Sequence, residues 1–324
     1  MMGNKGLSMS RVLVTGGAGF IGHHVVRELL SRGADVIVID DLSTGSRANI
    51  PVADVEFHET SILNDEVLRD AASRSDAIIH LAAIASVSDS INDPQHTHDV
   101  NATGTLRVLN HARQHGISRV AVASSSAVYG NSRAEIQEES VVLEPISPYG
   151  VNKLASEAYV RAFNSCYGTS NVAFRFFNVY GPGQLPTHAY AAVIPKFVHA
   201  ALHQEELTIH GDGLQSRDFV YVGDVARVLS DTVLDDVSFA EPVVNLASGS
   251  SITVLDVAGV IENVLGNSVE RVHAESRRGD IRSSRASIAH LQEAFPHFRP
   301  VPLEDGIEQT MSWMSTWRDD QRLR

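Results

Sequence analysis

Tyr149 and Lys153 stand four residues apart in the stretch SPYGVNKLASE. Four residues is about one helical turn, so on a helix the phenol and the ammonium share a face. Such a pair is either an arranged acid–base couple or ordinary helix surface, and spacing alone leaves both readings open. Gly16, Gly19 and Gly22 punctuate VLVTGGAGFIGHH, between a β-branched run and a helical pattern. Glycines there let a backbone turn tightly and approach a pyrophosphate at a helix N-terminus. Among 15 histidines, His111/His115 and His199/His203 have the i,i+4 spacing of a metal pair. Neither pair has the glutamate of an HExxH site or a neighbouring cysteine cluster. Both are expected to be solvated helix faces, and no metal is expected.

The elements that must position these groups alternate along the first half of the chain. RVLVT (11–15), DVIVID (35–40), DAIIHLA (76–82), RVAVASS (119–125) and NVAFRFF (171–177) are short, β-branched and apolar throughout, as strands buried on both faces should be. Helical patterns lie between them at 23–33, 67–74, 102–116 and 151–168, and Gly33 and Gly116 sit where two of them should stop. A βαβα order implies an α/β fold with a Rossmann-type, doubly wound parallel sheet. Beyond about residue 180 the pattern loosens into a loop, GPGQLP, a helix over 192–204, and strands near LTIHGDG and PVVNLASG. The expected organisation is a dinucleotide-binding domain over 11–180 with later segments interleaved. A smaller α/β substrate lobe is expected over 181–315, and a disordered leader over 1–10.

Bulk properties narrow the function. The 324 residues are 43% hydrophobic, which suits an ordinary globular core. A formal net charge of −13 repels phosphate backbones, so nucleic acid is not an expected partner. Cys166 is the single cysteine, which excludes an internal disulfide and fits a reducing cytoplasm. No apolar run reaches membrane-spanning length, so no membrane association is expected.

Asp40 ends the strand that follows the glycine loop. Its carboxylate can accept hydrogen bonds from an adenosine ribose diol and would repel a 2′-phosphate, which favours NAD over NADP.

The GxxGxxG spacing, followed by DDLSTG at 40–45, resembles the extended branch of the short-chain dehydrogenase/reductase superfamily. The resemblance runs from about residue 11 to 315 and extends to the nucleotide-sugar 4-epimerases of that branch. It implies a pyrophosphate site at Gly16, Gly19, Phe20, Ile21 and Gly22, and an adenosine pocket lined by Asp40, Asp41, Leu42, Ser43 and Thr44. The adenine amino group usually meets an acid; Ser61, beside Ile62, stands at that position here and makes a weaker contact. Leu81, Ala82, Ala83 and Ala85 of HLAAIASV, with Asn101 and Phe176, would complete the nicotinamide side.

The family's YxxxK motif matches Tyr149 and Lys153, and its catalytic serine matches Ser125 of SSSAVYG. The resemblance implies that Tyr149 exchanges a proton with a sugar hydroxyl. A tyrosine has an ordinary pKa of ~10, and bringing it to ~7 takes roughly 4 kcal/mol. Lys153 and the positive nicotinamide ring would both stabilise the phenolate, and Ser125 would hydrogen-bond the reacting oxygen.

Related sugar dehydratases carry Thr-Asp-Glu where this chain has Ser125, Ser126 and Ala127, and related decarboxylases keep a glutamate at the last position. Without those carboxylates β-elimination lacks its acid and base. The simpler cycle follows: transient oxidation at C4, turnover of the keto sugar, and reduction on its other face. The substrate handle resembles a uridine diphosphate, with Asn178 and Arg217 at the diphosphate, Arg277 beside them and Asp280 at a ribose hydroxyl. Thr208 would meet the base through its backbone, with His210 where the family often has an aromatic residue. Ser86, Ser125, Ser126, Tyr149, Ala192 and Val193 would surround the sugar. Small residues at Ala192 and Ser284 leave room for a C2 acetamido group, so N-acetylhexosamine nucleotides are expected beside plain hexoses. Rival readings are a nucleotide-sugar reductase or decarboxylase, a UDP-uronic acid 4-epimerase, and a non-catalytic NAD-binding regulator. Helices over 93–115 and 149–167 resemble the pair through which the family forms a homodimer.

Overall fold

The computed structural model describes residues 10–132, 134–186, 192–276 and 282–317. Seven strands form its main sheet: β1 (Arg11–Thr15), β2 (Asp35–Asp40), β3 (Glu56–Glu59), β4 (Ala77–His80), β5 (Val120–Ser125), β6 (Val172–Phe176) and β7 (Val243–Leu246). Their order across the sheet is β7-β6-β5-β4-β1-β2-β3, and every neighbouring pair is parallel. The order reverses between β1 and β4, so the carboxyl ends of those strands open the crevice where a doubly wound sheet binds its ligand.

The central strands are apolar along their length because both faces are covered. Helices α1 (Phe20–Ser31), α2 (Asp65–Ser73), α3 (Gly104–Gln114) and α4 (Pro148–Tyr167) join the strands of the first half. Leu68 of α2, Val108 and Leu109 of α3, and Val160 and Phe163 of α4 pack on one face against Leu13, Ile78, Val120 and Val122. Val25, Val26 and Leu29 of α1 pack on the other, with Val225, Val228 and Leu229 of a helix at Val222–Leu234. That helix and β7 lie beyond residue 180 yet belong to the sheet domain, as interleaved segments.

A further core gathers the remaining lobe. Ile194, Phe197 and Val198 of Val193–Leu202 meet Val257 and Ile261 of Val254–Leu265, and Ile307, Met311 and Met314 of Leu303–Thr316. Short two-stranded ribbons edge it: Leu207–His210 with Arg271–Ala274, and Ser216–Arg217 with Ile252–Thr253.

Two sequence expectations are corrected. β3 reads EFHE, a polar edge strand half-buried at most positions, and an apolar-run criterion passes over it. His111 is no solvated helix face: it is 5% exposed, and its Nε2 lies 2.9 Å from Asp65 Oδ1 at the start of α2. Residues 1–9 of the expected leader fall outside the described residues.

Candidate active site

The glycine loop leaves β1 and enters α1. Gly16 has φ +74°, and a Cβ there would lie 2.6 Å from Ala82 N. A Cβ on Gly22 would overlap Gly16 O. These two glycines are required by the chain's own packing. Gly19 differs: its φ is −74°, and a Cβ would approach only Gly16 O, at 3.3 Å. What a side chain at Gly19 would obstruct is the outer side of the loop, where a ligand's backbone approach is needed. The first turn of α1 has no side-chain cap and no acidic residue, so its amides face outward as an anion site. This cradle fits a dinucleotide pyrophosphate.

Asp40, 8% exposed, bends the next loop around itself. Its Oδ2 accepts from Ala18 N at 2.9 Å and its Oδ1 from Leu42 N at 2.8 Å, each oxygen retaining a lone pair for a ribose hydroxyl. Leu42 is held in the left-handed region at φ 58°, local strain of a kind that gathers at ligand clamps. Asp41 accepts from Ser43 N at 3.0 Å, and Ser43 and Thr44 are exposed along the rim. At the adenine end, Ser61 Oγ accepts from Leu63 N at 3.2 Å, while the Ile62 side chain is buried against α3. Only the backbone of Ile62 is left to face a base.

The segment after β4 is pinned from behind. Ala82 N donates to Thr15 Oγ1 at 3.3 Å. Asn101 sits in a single π turn, Asp99–Thr103, that joins a short helix at Pro94–His98 to α3. Its amide accepts from Ile84 N at 2.8 Å and donates to Ile84 O at 2.9 Å. Asn101, expected at the cofactor, thus holds the Leu81–Ser86 segment from behind. Ala83 and Ala85 lie within that segment, and Ser86 caps the helix Val87–Asn92 by accepting from Asp89 N.

Ser147 caps α4 and Pro148 occupies its first turn, which brings Tyr149 and Lys153 onto the inner face. Both are buried, at 9% and 6% exposure. Tyr149 faces Ser125 at the end of β5, close enough to interact with it. Lys153 Nζ donates to Ala123 O at 2.7 Å and lies 5.8 Å from the centre of the Tyr149 ring. Ser125 Oγ also accepts from Ala127 N at 3.1 Å, with Ser126 beside it and no carboxylate at either position. Burial pushes the Tyr149 phenol up from its ordinary value, and the Ser125 hydroxyl opposes the rise. Burial brings the Lys153 ammonium down to about 8, against the pull of Glu157. The chain by itself thus favours the protonated form of Tyr149. Phe176 closes β6 in the core nearby.

A cavity of about 560 Å³ adjoins this edge, lined by Asn178, Ala192, Val193, Thr208, His210 and Arg217. Those are expected diphosphate, sugar and base positions; Ser86, Ser125 and Ser126, also expected at the sugar, do not line it, and Arg277 and Asp280 lie outside the described residues. The cavity does not reach Tyr149. Asn178 N and Nδ2 both donate to Asp218 O at 3.0 Å, across the pairing of Asn178–Tyr180 with Phe219–Tyr221. Ser284 N donates to Ser216 O, and Ser284 does not line the cavity.

Sequence reasoning missed Lys196, Gln215 and Phe219, which also line it. Lys196 follows Ala192 by one helical turn, a signal that could have been read. It also missed Asp218, fully buried, whose carboxylate gathers the amides of Ser248, Gly249 and Ala286 behind Arg217.

Comparison with known proteins identifies the family. Residues 12–247 match the model of the NAD dependent epimerase/dehydratase family. A UDP-N-acetylglucosamine 4-epimerase from Methanobrevibacter ruminantium M1, solved with UDP-N-acetylmuramic acid, is 34% identical with a TM-score of 0.89, over 95% of this chain and 99% of that one. The UDP-glucose 4-epimerase of Thermotoga maritima, solved with UDP-glucose, is 35% identical with a TM-score of 0.87, over 94% and 98%. That of Thermus thermophilus, solved with NAD, is 36% identical with a TM-score of 0.85, over 95% and 100%.

Proposed function

The chain belongs to the NAD dependent epimerase/dehydratase family, and from that premise we propose that it is a UDP-sugar 4-epimerase. The cofactor is NAD, held by the Gly16–Gly22 loop, Asp40 and the segment after β4. When bound it supplies the transient oxidation of C4 and the reversal of that oxidation.

The chain's own residues handle the proton and the sugar. Tyr149 Oη accepts the proton of the C4 hydroxyl and later returns it. Ser125 Oγ hydrogen-bonds the C4 oxygen and keeps it within reach of Tyr149. Lys153 offers a buried positive charge to the phenolate. Burial in the chain alone raises the phenol, so the positive charge of the oxidised cofactor must contribute to lowering it. Arg217 offers forked donors to the diphosphate, with Asn178 beside it.

The observation that carries the reading is Tyr149, Lys153 and Ser125 meeting at the end of β5, with no carboxylate at Ser126 or Ala127. That set suits reversible oxidation and lacks the acid and base of an elimination. The proposed substrates are UDP-glucose and UDP-galactose. The small Ala192 at the cavity wall supports UDP-N-acetylglucosamine and UDP-N-acetylgalactosamine as well. We place the enzyme in the cytoplasm as a homodimer formed through α3 and α4, where Arg113 lies 4.8 Å from the ring of the half-exposed Tyr167. Light scattering checks the dimer.

The deciding experiment incubates the purified protein with a panel of UDP-sugars and no added cofactor. A C4 epimer from UDP-glucose or UDP-N-acetylglucosamine is expected on chromatography. No conversion, with a reduced or decarboxylated product once NADH or NAD is added, overturns the reading. Conversion of UDP-glucose without UDP-N-acetylglucosamine removes only the hexosamine part.

A further inference from the structure

Glu157 and Arg175 form the one ion pair among the described residues with both side chains almost wholly buried, at 3% and 2% exposure. Arg175 Nε donates to Glu157 Oε1 at 2.9 Å and Nη2 to Oε2 at 2.8 Å, a two-pronged clamp between β6 and α4. Desolvating two ions cancels much of their attraction, and a well-packed apolar pair is often at least as stable. Stability alone does not account for this pair; its connections do.

Tyr149, Lys153 and Glu157 recur at four-residue intervals and share one face of α4. Three successive residues of β5 receive them. Tyr149 meets Ser125, Lys153 donates to Ala123 O at 2.7 Å, and Ser124 Oγ donates to Glu157 Oε1 at 2.5 Å. Ser124 continues the face of Val120 and Val122, which pack on α4, and Ser125 follows it directly at the carboxyl end of the strand. Holding Ser124 therefore restrains Ser125. The clamp is anchored further: Arg175 Nη1 donates to Tyr129 Oη at 2.9 Å, and Tyr129 Oη donates to Asn245 Oδ1 of β7 at 2.6 Å.

We propose that Glu157, clamped by Arg175, is a positioning residue for the reaction, seating the end of β5 against the Tyr149–Lys153 face and supplying the negative charge that Lys153 faces. This rests on the roles given above to Tyr149, Lys153 and Ser125. Among the groups around Lys153, Tyr149 is protonated and His80 of β4 is held neutral, its value brought by burial down to about 3. Arg175 stands behind Glu157. Glu157 is thus the charge that opposes the fall of Lys153 toward about 8.

Glu157→Gln alone leaves Arg175 buried and unpaired, so the test pairs it with the double variant Glu157→Gln/Arg175→Met. The chain has three lysines, Lys5, Lys153 and Lys196, so 13C-lysine labelling isolates the Lys153 titration by NMR without any activity measurement. In the double variant the Tm is expected to return toward the wild-type value. Lys153 is expected to titrate about one pH unit lower, the alkaline limb of kcat to move down with it, and kcat to fall about 10- to 100-fold with KM little changed. A double variant with wild-type kcat, limb and Lys153 titration overturns the proposal and leaves a structural pair. If the double variant does not fold, Ser124→Ala carries the test: a lower kcat at unchanged Tm supports the seating role, and an unchanged kcat removes it. A wild-type protein that converts no UDP-sugar defeats the parent reading instead, while the Lys153 titration still reports on Glu157.

Discussion

The two halves of the site are built in opposite ways. On the sheet side the working groups are buried and tied to backbone: Lys153 to Ala123 O, Asn101 to Ile84, Asp40 to Ala18 and Leu42. On the nucleotide side Ala192 and Thr208 are exposed, and His210 and Arg217 half-buried, on short ribbons and a helix start. The first half has one geometry available to it. The second can change residues without disturbing a core. If chemistry sits at the sheet edge and recognition in the lobe, as proposed, damage to the two should separate cleanly into kcat and KM.

The largest effect belongs to the sheet side. Tyr149→Phe removes the proton carrier and keeps the ring, so epimerisation should fall by about 10³-fold or more. Bound NAD, measured after denaturing the protein, should stay at the wild-type level. Loss of NAD together with activity would mean that Tyr149 serves the cofactor rather than the proton.

Next comes Gly19→Ala, which asks whether the cradle is shaped for a ligand. That Cβ would lie 3.3 Å from Gly16 O, which must give by a few tenths of an ångström, so stability should stay within about 1 kcal/mol of wild type. NAD retention should drop by about 100-fold, or roughly 2.7 kcal/mol. A variant that retains NAD would show that the outer side of the loop is not the pyrophosphate's path. On the nucleotide side, Arg217→Gln should raise KM for the UDP-sugar about 10- to 30-fold and leave kcat within about twofold. A fall in kcat at constant KM would break the division between the halves.

The same division decided what could be read from sequence. Gly16, Gly22, Asp40 and the Tyr149–Lys153 spacing announce themselves because backbone geometry and helix period restrict them to few residue types. β3 escaped because an edge strand needs no apolar run, and EFHE has none. His111 was misread because i,i+4 spacing says nothing about which side of a helix is covered. Arg175 and Glu157 are 18 residues apart on a strand and a helix, and only the packing of α4 on β6 brings them together. Lys196, Gln215 and Phe219 line a cavity whose walls come from separate segments, so no local pattern marks them.

The smallest effect concerns stability, and its sign follows from burial. Lys153 has a folded value of about 8 against an ordinary 10.5. Between those values the unfolded chain binds more protons than the folded one, so the Lys153 contribution makes stability rise with pH across that window. Below pH 8 both states are charged, and the folded chain bears the full desolvation penalty. Lys153→Met removes the penalty together with the hydrogen bond to Ala123 O. In NAD-stripped protein it should therefore be the more stable form at pH 7, by about 1–2 kcal/mol, although it is inactive. The advantage should shrink as pH climbs from 8 toward 10, because the wild-type lysine sheds its proton in the folded state. Guanidinium unfolding of both proteins at pH 7 and 9.5 measures the difference. A variant less stable than wild type at pH 7, or a gap that ignores pH, would mean that Lys153 supports the fold. The expected result instead makes the sheet side a place where the fold carries a penalty to keep a charge beside Tyr149.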